Sequence, residues 1–169
     1  NSYNCPVVTA YSAVIKGVEQ TNIPIDSPAI SFKDERLLYK QCKSYLQSLG
    51  LSPGVIADAF IKAKKEQAAY QQEIAGQNKK ALCRAQMVGQ LSILLAGRPY
   101  HTDPLIQHKV SNMLAEMGIT VLTEDIVRGE EVDIKETHFL AQWSYPNRIM
   151  RSAKWCAQQD DDVQFVQMT

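Results

Sequence analysis

Two short polar segments of the sequence combine side chains that could bind an anion or move a proton. Residues 97–103 carry a guanidinium, a phenol, an imidazole and a carboxylate, in Arg98, Tyr100, His101 and Asp103. Residues 123–126 carry two further carboxylates, in Glu124 and Asp125. Guanidinium groups bind anions through a planar fork of donors, and an imidazole can act as acid or base near neutral pH. Together the segments predict an anion-binding site in which His101 is available for proton transfer.

Structural explanations compete with this prediction. Asp103 precedes Pro104 and is typical of a helix N-cap. Arg98 could simply pair with Glu124 or Asp125, and a histidine in a loop framed by glycine and proline could be held by a hydrogen bond. The sequence leaves these alternatives open.

The elements around both segments follow a strand–helix–strand pattern. Apolar, branched residues over 91–96 and 119–123 predict two buried strands, and the stripe between them predicts a helix over 104–117 that ends before Gly118. Such a unit implies a parallel pair with a right-handed crossover. Ligands gather outside the carboxyl ends of parallel strands, which is where both polar segments lie. A helix from Pro146 and a strand over 163–168 continue the pattern.

The amino-terminal half reads mainly as helix. Asp34 can cap a helix that runs to Leu49, and Ser52-Pro53 begins a second that runs to about Ala85, with a kink or break expected near Gly76. Before them we expect an extended run over 5–9, a helix through residues 13–18 and a short strand over 23–25. The predicted fold class is α/β, with a small parallel sheet of Rossmann- or flavodoxin-like βαβ units and a long helical layer.

The predicted organisation is one domain, residues 1–169, cut from a larger protein. Its parts are a strand and helix start (1–33), a helical layer (34–88) and a βαβ region (89–169). Eighteen basic and eighteen acidic residues balance to zero formal charge, which argues against nucleic-acid or membrane partners. The four cysteines form no metal-binding pair and predict reduced thiols in the cytoplasm. No Walker A loop or dinucleotide fingerprint occurs.

Five segments, in this order, carry a family resemblance: Asn4-Cys5-Pro-Val-Val, Gly97-Arg-Pro-Tyr-His-x-Asp-Pro, Met117-Gly-Ile-x-Val-Leu-Thr-Glu-Asp, Gln142-Trp-x-Tyr-Pro-Asn-Arg148 and Val163-Gln-Phe-Val-Gln. The set resembles a domain of large bacterial acyl-CoA dehydratase activases, also called CoA-substrate-specific enzyme activases. The resemblance covers most of the chain and is weakest over 34–88. Ser12 departs from it, since the family usually has proline after Tyr11.

The resemblance implies a parent protein in which ATPase modules are joined to regions similar to 2-hydroxyacyl-CoA dehydratase subunits. Such activases use ATP to drive an electron into an acyl-CoA dehydratase, and both proteins hold iron–sulfur clusters. This chain resembles the dehydratase-like region, so we expect no ATPase activity and no turnover of its own. The expected partners are the ATPase modules of the same polypeptide and an acyl-CoA dehydratase.

The resemblance also implies candidate site residues. Asn147 and Arg148 become ligand-binding candidates, and Cys5 becomes the candidate cluster ligand. One cysteine cannot hold a cluster, so we expect an incomplete site and no cluster in this fragment alone. Three hypotheses remain: a redox-partner domain that uses Cys5, a module that binds a CoA derivative through Arg98 and the start of the 104–117 helix, and a structural connector with no ligand of its own.

Overall fold

The computed structural model describes residues 6–19, 22–32, 34–134 and 144–168. The chain divides into two units, residues 1–66 and residues 67–169. Helices make up the regular structure of the first unit, and a parallel sheet lies at the centre of the second. Among the described residues, no helix combines the length and the apolar character needed to span a membrane.

Helix α1 (Pro6–Val18) opens the first unit, followed by α2 (Glu35–Ser48) and the beginning of α3 (Pro53–Met87). The predicted cap of α2 is confirmed, because the Asp34 side chain accepts the Leu37 N–H at 2.8 Å. Gly50, with φ of 87°, takes the left-handed backbone that follows the end of a helix.

Two sequence predictions in the first unit are wrong. Residues 6–9 are helical rather than extended, since Pro6 takes the first helical position, where its fixed φ fits and its missing N–H is not needed. Residues 23–25 form no strand, because Pro24 lacks an N–H and no strand of the described residues lies beside them. This stretch is instead held to α2 by side chains, as where the Tyr45 hydroxyl donates to Asp26 at 3.1 Å.

Helix α3 runs through Gly76 as one continuous helix of 35 residues, so the predicted break does not occur. Glycine inside a helix costs only about 1 kcal/mol. The neighbouring turn supplies compensating contacts. Ala75 is buried, the Gln77 amide donates to Glu73, and the Asn78 amide donates to the carbonyl of Ile74.

The sheet of the second unit has the strand order β2-β1-β3, with β1 at Ser92–Ala96, β2 at Thr120–Leu122 and β3 at Val163–Gln167. Strand β1 pairs in parallel with both neighbours. The predicted parallel arrangement is therefore confirmed, and the loops after β1 and β2 begin at the same edge of the sheet. We call this edge, at the carboxyl ends of the strands, the carboxyl edge.

Apolar side chains from the strands, from the turn after β2 and from the flanking helices form the core of the second unit. Helix α5 (Ser144–Cys156) covers β1 and β3, with Ile149 and Trp155 partly buried against the core. The buried members of the core are Leu82, Leu94, Ala96, Leu122, Ile126, Val127, Cys156 and Val163.

The crossover helix is much shorter than predicted: α4 spans only Val110–Glu116. Residues 104–109 form turns instead, because His108 and Lys109 both take a left-handed backbone, with φ of 52° and 60°. The Asp103 side chain accepts the N–H groups of Leu105 and Ile106, as an N-cap does, but the turn that it caps does not continue as a helix. The predicted helix start at Pro104 is therefore wrong.

Candidate functional site

Arg148 of α5 connects two carboxylates at the carboxyl edge. Its Nη2 lies 3.1 Å from Glu124 Oε1 and 3.1 Å from Asp125 Oδ1, and its guanidinium lies 5.2 Å from the centre of the Tyr145 ring. Asp125 also accepts from the Nε of Arg128. Two carboxylates and two guanidiniums thus balance each other. We call these four residues the Arg148 cluster.

Glu124 is the most buried member of the Arg148 cluster, with only 5% of its surface exposed. Burial raises the pKa of Glu124, and this effect prevails over a backbone hydrogen bond and the attraction of Arg148, both of which lower it. The Nε of Arg148 is itself buried and has no hydrogen-bond partner within the described part of the chain. The cluster therefore combines a carboxylate that is costly to ionise with a guanidinium that is only partly satisfied.

Helix α3 fixes the backbone from which the two carboxylates project. Asn78 Oδ1 accepts the N–H of Thr123 at 2.8 Å, directly after β2 ends. A second contact of α3 follows directly: Lys79, the residue after Asn78, pairs with Glu130, which lies two residues beyond Arg128. The sequence did not predict this role for Asn78, since a single polar residue in a long amphipathic helix forms no motif.

The other candidate residues lie in a turn after β1 that contains the 3₁₀ helix Pro99–Thr102. The backbone N–H of Arg98 donates to Nδ1 of His101 at 3.1 Å, and the His101 N–H donates back to the Arg98 carbonyl at 2.8 Å. The rings of Tyr100 and His101 meet edge to face, with centroids 4.5 Å apart. His101 thus has structural contacts within its own turn.

The structure brings some predicted site residues together and keeps others apart. Glu124, Asp125 and Arg148 form one cluster, with half-buried Asn147 adjacent in sequence. Arg98 is exposed and, within the described residues, forms no ion pair. Arg148, not Arg98, therefore takes the predicted pairing with the two carboxylates.

The anion site predicted at the start of the 104–117 helix loses the N–H donors of that helix start. Because α4 begins at Val110, no helix start follows Asp103. The side chain of Asp103 instead caps the turn, and this structural explanation of Asp103 accounts for its position. What remains of the predicted anion site is the guanidinium of Arg98, with Tyr100 half-exposed beside it.

The described residues do not fit an iron–sulfur cluster. They include no group of three or more His, Cys, Asp or Glu side chains placed to hold a metal ion, and a cluster requires several thiolates at one point. Cys156 is buried, donates its thiol to the Val163 carbonyl at 3.4 Å, and has its pKa raised by burial. Cys5, the predicted ligand, lies outside the described residues.

Residues 1–127 match a family model described as a CoA enzyme activase uncharacterised domain. The match includes β1, β2, the turn that carries Arg98, and the two carboxylates after β2, and it ends before α5. No curated protein and no solved structure matches the chain.

Proposed function

The chain belongs to the family of CoA enzyme activase domains that its sequence matches, and on that premise we propose that it is a non-ATPase docking domain that binds a CoA derivative. In this proposal the domain performs no turnover. It presents the ligand to its partners in the cytoplasm, the ATPase modules of the same polypeptide and an acyl-CoA dehydratase. The ligand's phosphates dock at the carboxyl edge beside Arg98.

The exposed charge of Arg98 carries this proposal. At the carboxyl edge, Glu124 and Asp125 are matched by Arg148 and Arg128. Arg98 lies exposed in the neighbouring loop and, in the part of the chain that the structure describes, pairs with no carboxylate. A guanidinium without a counter-charge favours an anion, and CoA brings several phosphate oxygens that suit its fork of donors.

Binding of CoA to wild-type and Arg98→Ala protein tests the proposal by calorimetry. We expect wild-type protein to bind CoA and acetyl-CoA, and Arg98→Ala to bind them at least about tenfold more weakly, which equals the loss of about 1.4 kcal/mol. Arg84→Ala is the matched control, since Arg84 is an exposed arginine of α3 in the same unit. Equal affinity in Arg98→Ala, or no binding to wild-type protein, contradicts the proposal.

A second candidate, a connector that docks neighbouring modules, is favoured by the middle of α3. All ten residues from 61 to 70 are exposed, including Ile61 and Tyr70, which are apolar or aromatic. A helical stretch this open offers a surface for another module. Substitutions at Lys65 and Gln72, both exposed on α3, should then change assembly with the ATPase modules and leave CoA binding unchanged.

Electron transfer through Cys5 stays a prediction from the family resemblance. The described residues supply no partner thiolates, so Cys5 would have to share a cluster with cysteines from elsewhere. Anaerobic reconstitution of the whole parent protein with iron and sulfide tests it. Equal iron content in wild-type and Cys5→Ser protein removes Cys5 from the ligand set.

A further inference from the structure

We propose that His101 is a positioning residue whose neutral imidazole holds the 97–102 turn closed, so that presentation of Arg98 depends on the protonation of His101. The effect on ligand rests on the function proposed for Arg98. The effect on the turn does not, because it follows from contacts within the turn alone.

Both backbone groups of Arg98 bond to the same residue. The Arg98 N–H donates to the imidazole Nδ1 at 3.1 Å, and the Arg98 carbonyl accepts the His101 N–H at 2.8 Å. The direction in which the Arg98 side chain leaves the backbone is therefore set by His101. Replacing either bond with a bond to water would free the Arg98 backbone to rotate.

Gly97 gives an independent sign that the imidazole belongs in this position. A Cβ placed on Gly97 would lie 2.6 Å from Nδ1 of His101 and 2.9 Å from its Cβ. Gly97 is buried and is not among the glycines with positive φ, so backbone conformation does not explain it. The imidazole occupies the space that any larger residue at 97 would need, and the Tyr100 ring also packs against it, edge to face.

The first hydrogen bond requires an unprotonated Nδ1. In the neutral imidazole the proton therefore lies on Nε2. Protonation of Nδ1 would set one N–H against another and break the bond to Arg98. The nearest charged or titratable residues along the described chain are Arg98 and Tyr100 in the turn itself and Asp103 just beyond it, while β1, which leads into the turn, has no ionisable side chain.

Acidification should therefore open the turn. Histidine is the side chain that changes charge between about pH 5 and 8. The imidazolium formed at low pH also attracts anions. Ligand affinity alone therefore combines two opposite effects, the opening of the turn, which weakens binding, and the added positive charge, which strengthens it. Hydrogen exchange at the Arg98 amide reports only the opening of the turn.

The test measures amide hydrogen exchange at Arg98, corrected for the intrinsic rate, between about pH 5 and 8. In wild-type protein we expect protection to fall at least about tenfold as the pH is lowered. His101→Asn places an acceptor oxygen near the position of Nδ1 and cannot titrate, so protection should persist at low pH. His101→Phe keeps a ring but no acceptor, and should lose protection throughout. His108→Asn, at an exposed histidine, should behave as wild type.

Protection of Arg98 that is independent of pH in wild-type protein overturns the inference, as does full protection in His101→Phe. Gly97→Ala is a second probe that leaves His101 unchanged, and it should remove Arg98 protection at every pH. CoA binding separates this inference from the proposed function. A pH-dependent Arg98 amide in a protein that binds no CoA leaves the turn mechanism supported and the ligand wrong. CoA binding together with pH-independent protection of the Arg98 amide supports the ligand and overturns the turn mechanism.

Discussion

Arg148 Nη2 lies 3.1 Å from Glu124 Oε1, so a side chain of α5 is tied to the turn that directly follows β2. Glu124 is nearly buried, whereas the Arg148 side chain keeps 24% of its surface exposed. Removing one partner of such a pair leaves the other charge without compensation. The cost is greater when the charge that remains is the more buried one. The two residues should therefore respond unequally to substitution.

Arg148→Met should lower the free energy of unfolding by about 2 kcal/mol, because it keeps the apolar stem but leaves Glu124 buried without its cation. Glu124→Gln should cost clearly less, since it leaves no buried charge and Arg148 still reaches Asp125. Urea unfolding measures both, with Arg84→Ala as a surface control. Equal losses in the two variants would contradict this ranking.

The pH dependence of stability should identify Glu124 as a carboxyl that resists ionisation. Burial raises its pKa above the ordinary glutamate value of about 4.5. A raised folded pKa means that Glu124 stabilises the protein below the unfolded pKa, and that this stabilisation is lost as the pH rises through the folded pKa. Glu124→Gln should therefore gain stability relative to wild type as the pH rises from about 4.5 through the raised folded pKa. Urea unfolding at several pH values measures this difference. A stability deficit of Glu124→Gln that stays constant or grows with rising pH would be inconsistent with the prediction.

Asn78 should be a stability determinant of the carboxyl edge. Asn78→Ala removes the acceptor for the Thr123 N–H and should cost about 1–2 kcal/mol, the usual penalty for an unsatisfied, part-buried donor. Asn78→Asp keeps the acceptor oxygen and should cost less. Hydrogen exchange at the Thr123 amide provides the local readout, since it should accelerate in Asn78→Ala and stay slow in Asn78→Asp.

The parallel sheet was predictable because each strand has its own local signal. The short apolar runs that end at Ala96 and Leu122 are bounded by glycine and polar residues, and the apolar stripe between them indicated a crossover. Parallel pairing then followed from the length and helical pattern of that connection, and a right-handed crossover followed from the parallel pairing. The cap at Asp34 was likewise readable, since capping depends on a single side chain and its nearest backbone. Asp103 makes cap-like hydrogen bonds too, but the helix predicted to follow it does not form.

The site was less predictable because its contacts join residues far apart in sequence. Arg98 and Arg148 are equally plausible partners for Glu124 by residue type, and only the packing of α5 on the sheet decides between them. The shortened α4 was missed for a related reason. The apolar stripe over 104–117 suits a helix, but two successive left-handed residues, His108 and Lys109, interrupt it. Histidine is enriched in this backbone and lysine is not, and a single histidine inside an apolar stripe is too weak a signal to predict the interruption.

Lys109→Gly should stabilise the protein by about 0.5–1 kcal/mol. Lys109 has φ of 60°, a conformation that costs an L-residue about 1–2 kcal/mol and glycine very little. The greater freedom of glycine in the unfolded chain offsets part of this gain. Lys109→Ala is the matched control and should bring no gain, since alanine suffers the same strain. Thermal unfolding measures both, and a loss of stability in Lys109→Gly would contradict the strained turn.

Cys156 should be the slowest to react of the three cysteines in the described residues, Cys42, Cys83 and Cys156. Its thiol is buried among core residues, donates to the Val163 carbonyl and has a pKa raised by burial. The reactive thiolate fraction is therefore small, and the alkylating reagent has little access to the sulfur. Cys83 is exposed on α3 and serves as the internal reference. Timed alkylation followed by peptide mass spectrometry should show Cys156 labelled at least about 100-fold more slowly than Cys83. The difference should disappear in denaturing urea, because it comes from packing rather than from neighbouring residues. Similar labelling rates in the folded protein would place Cys156 outside the core and would remove α5 from its position against β1 and β3.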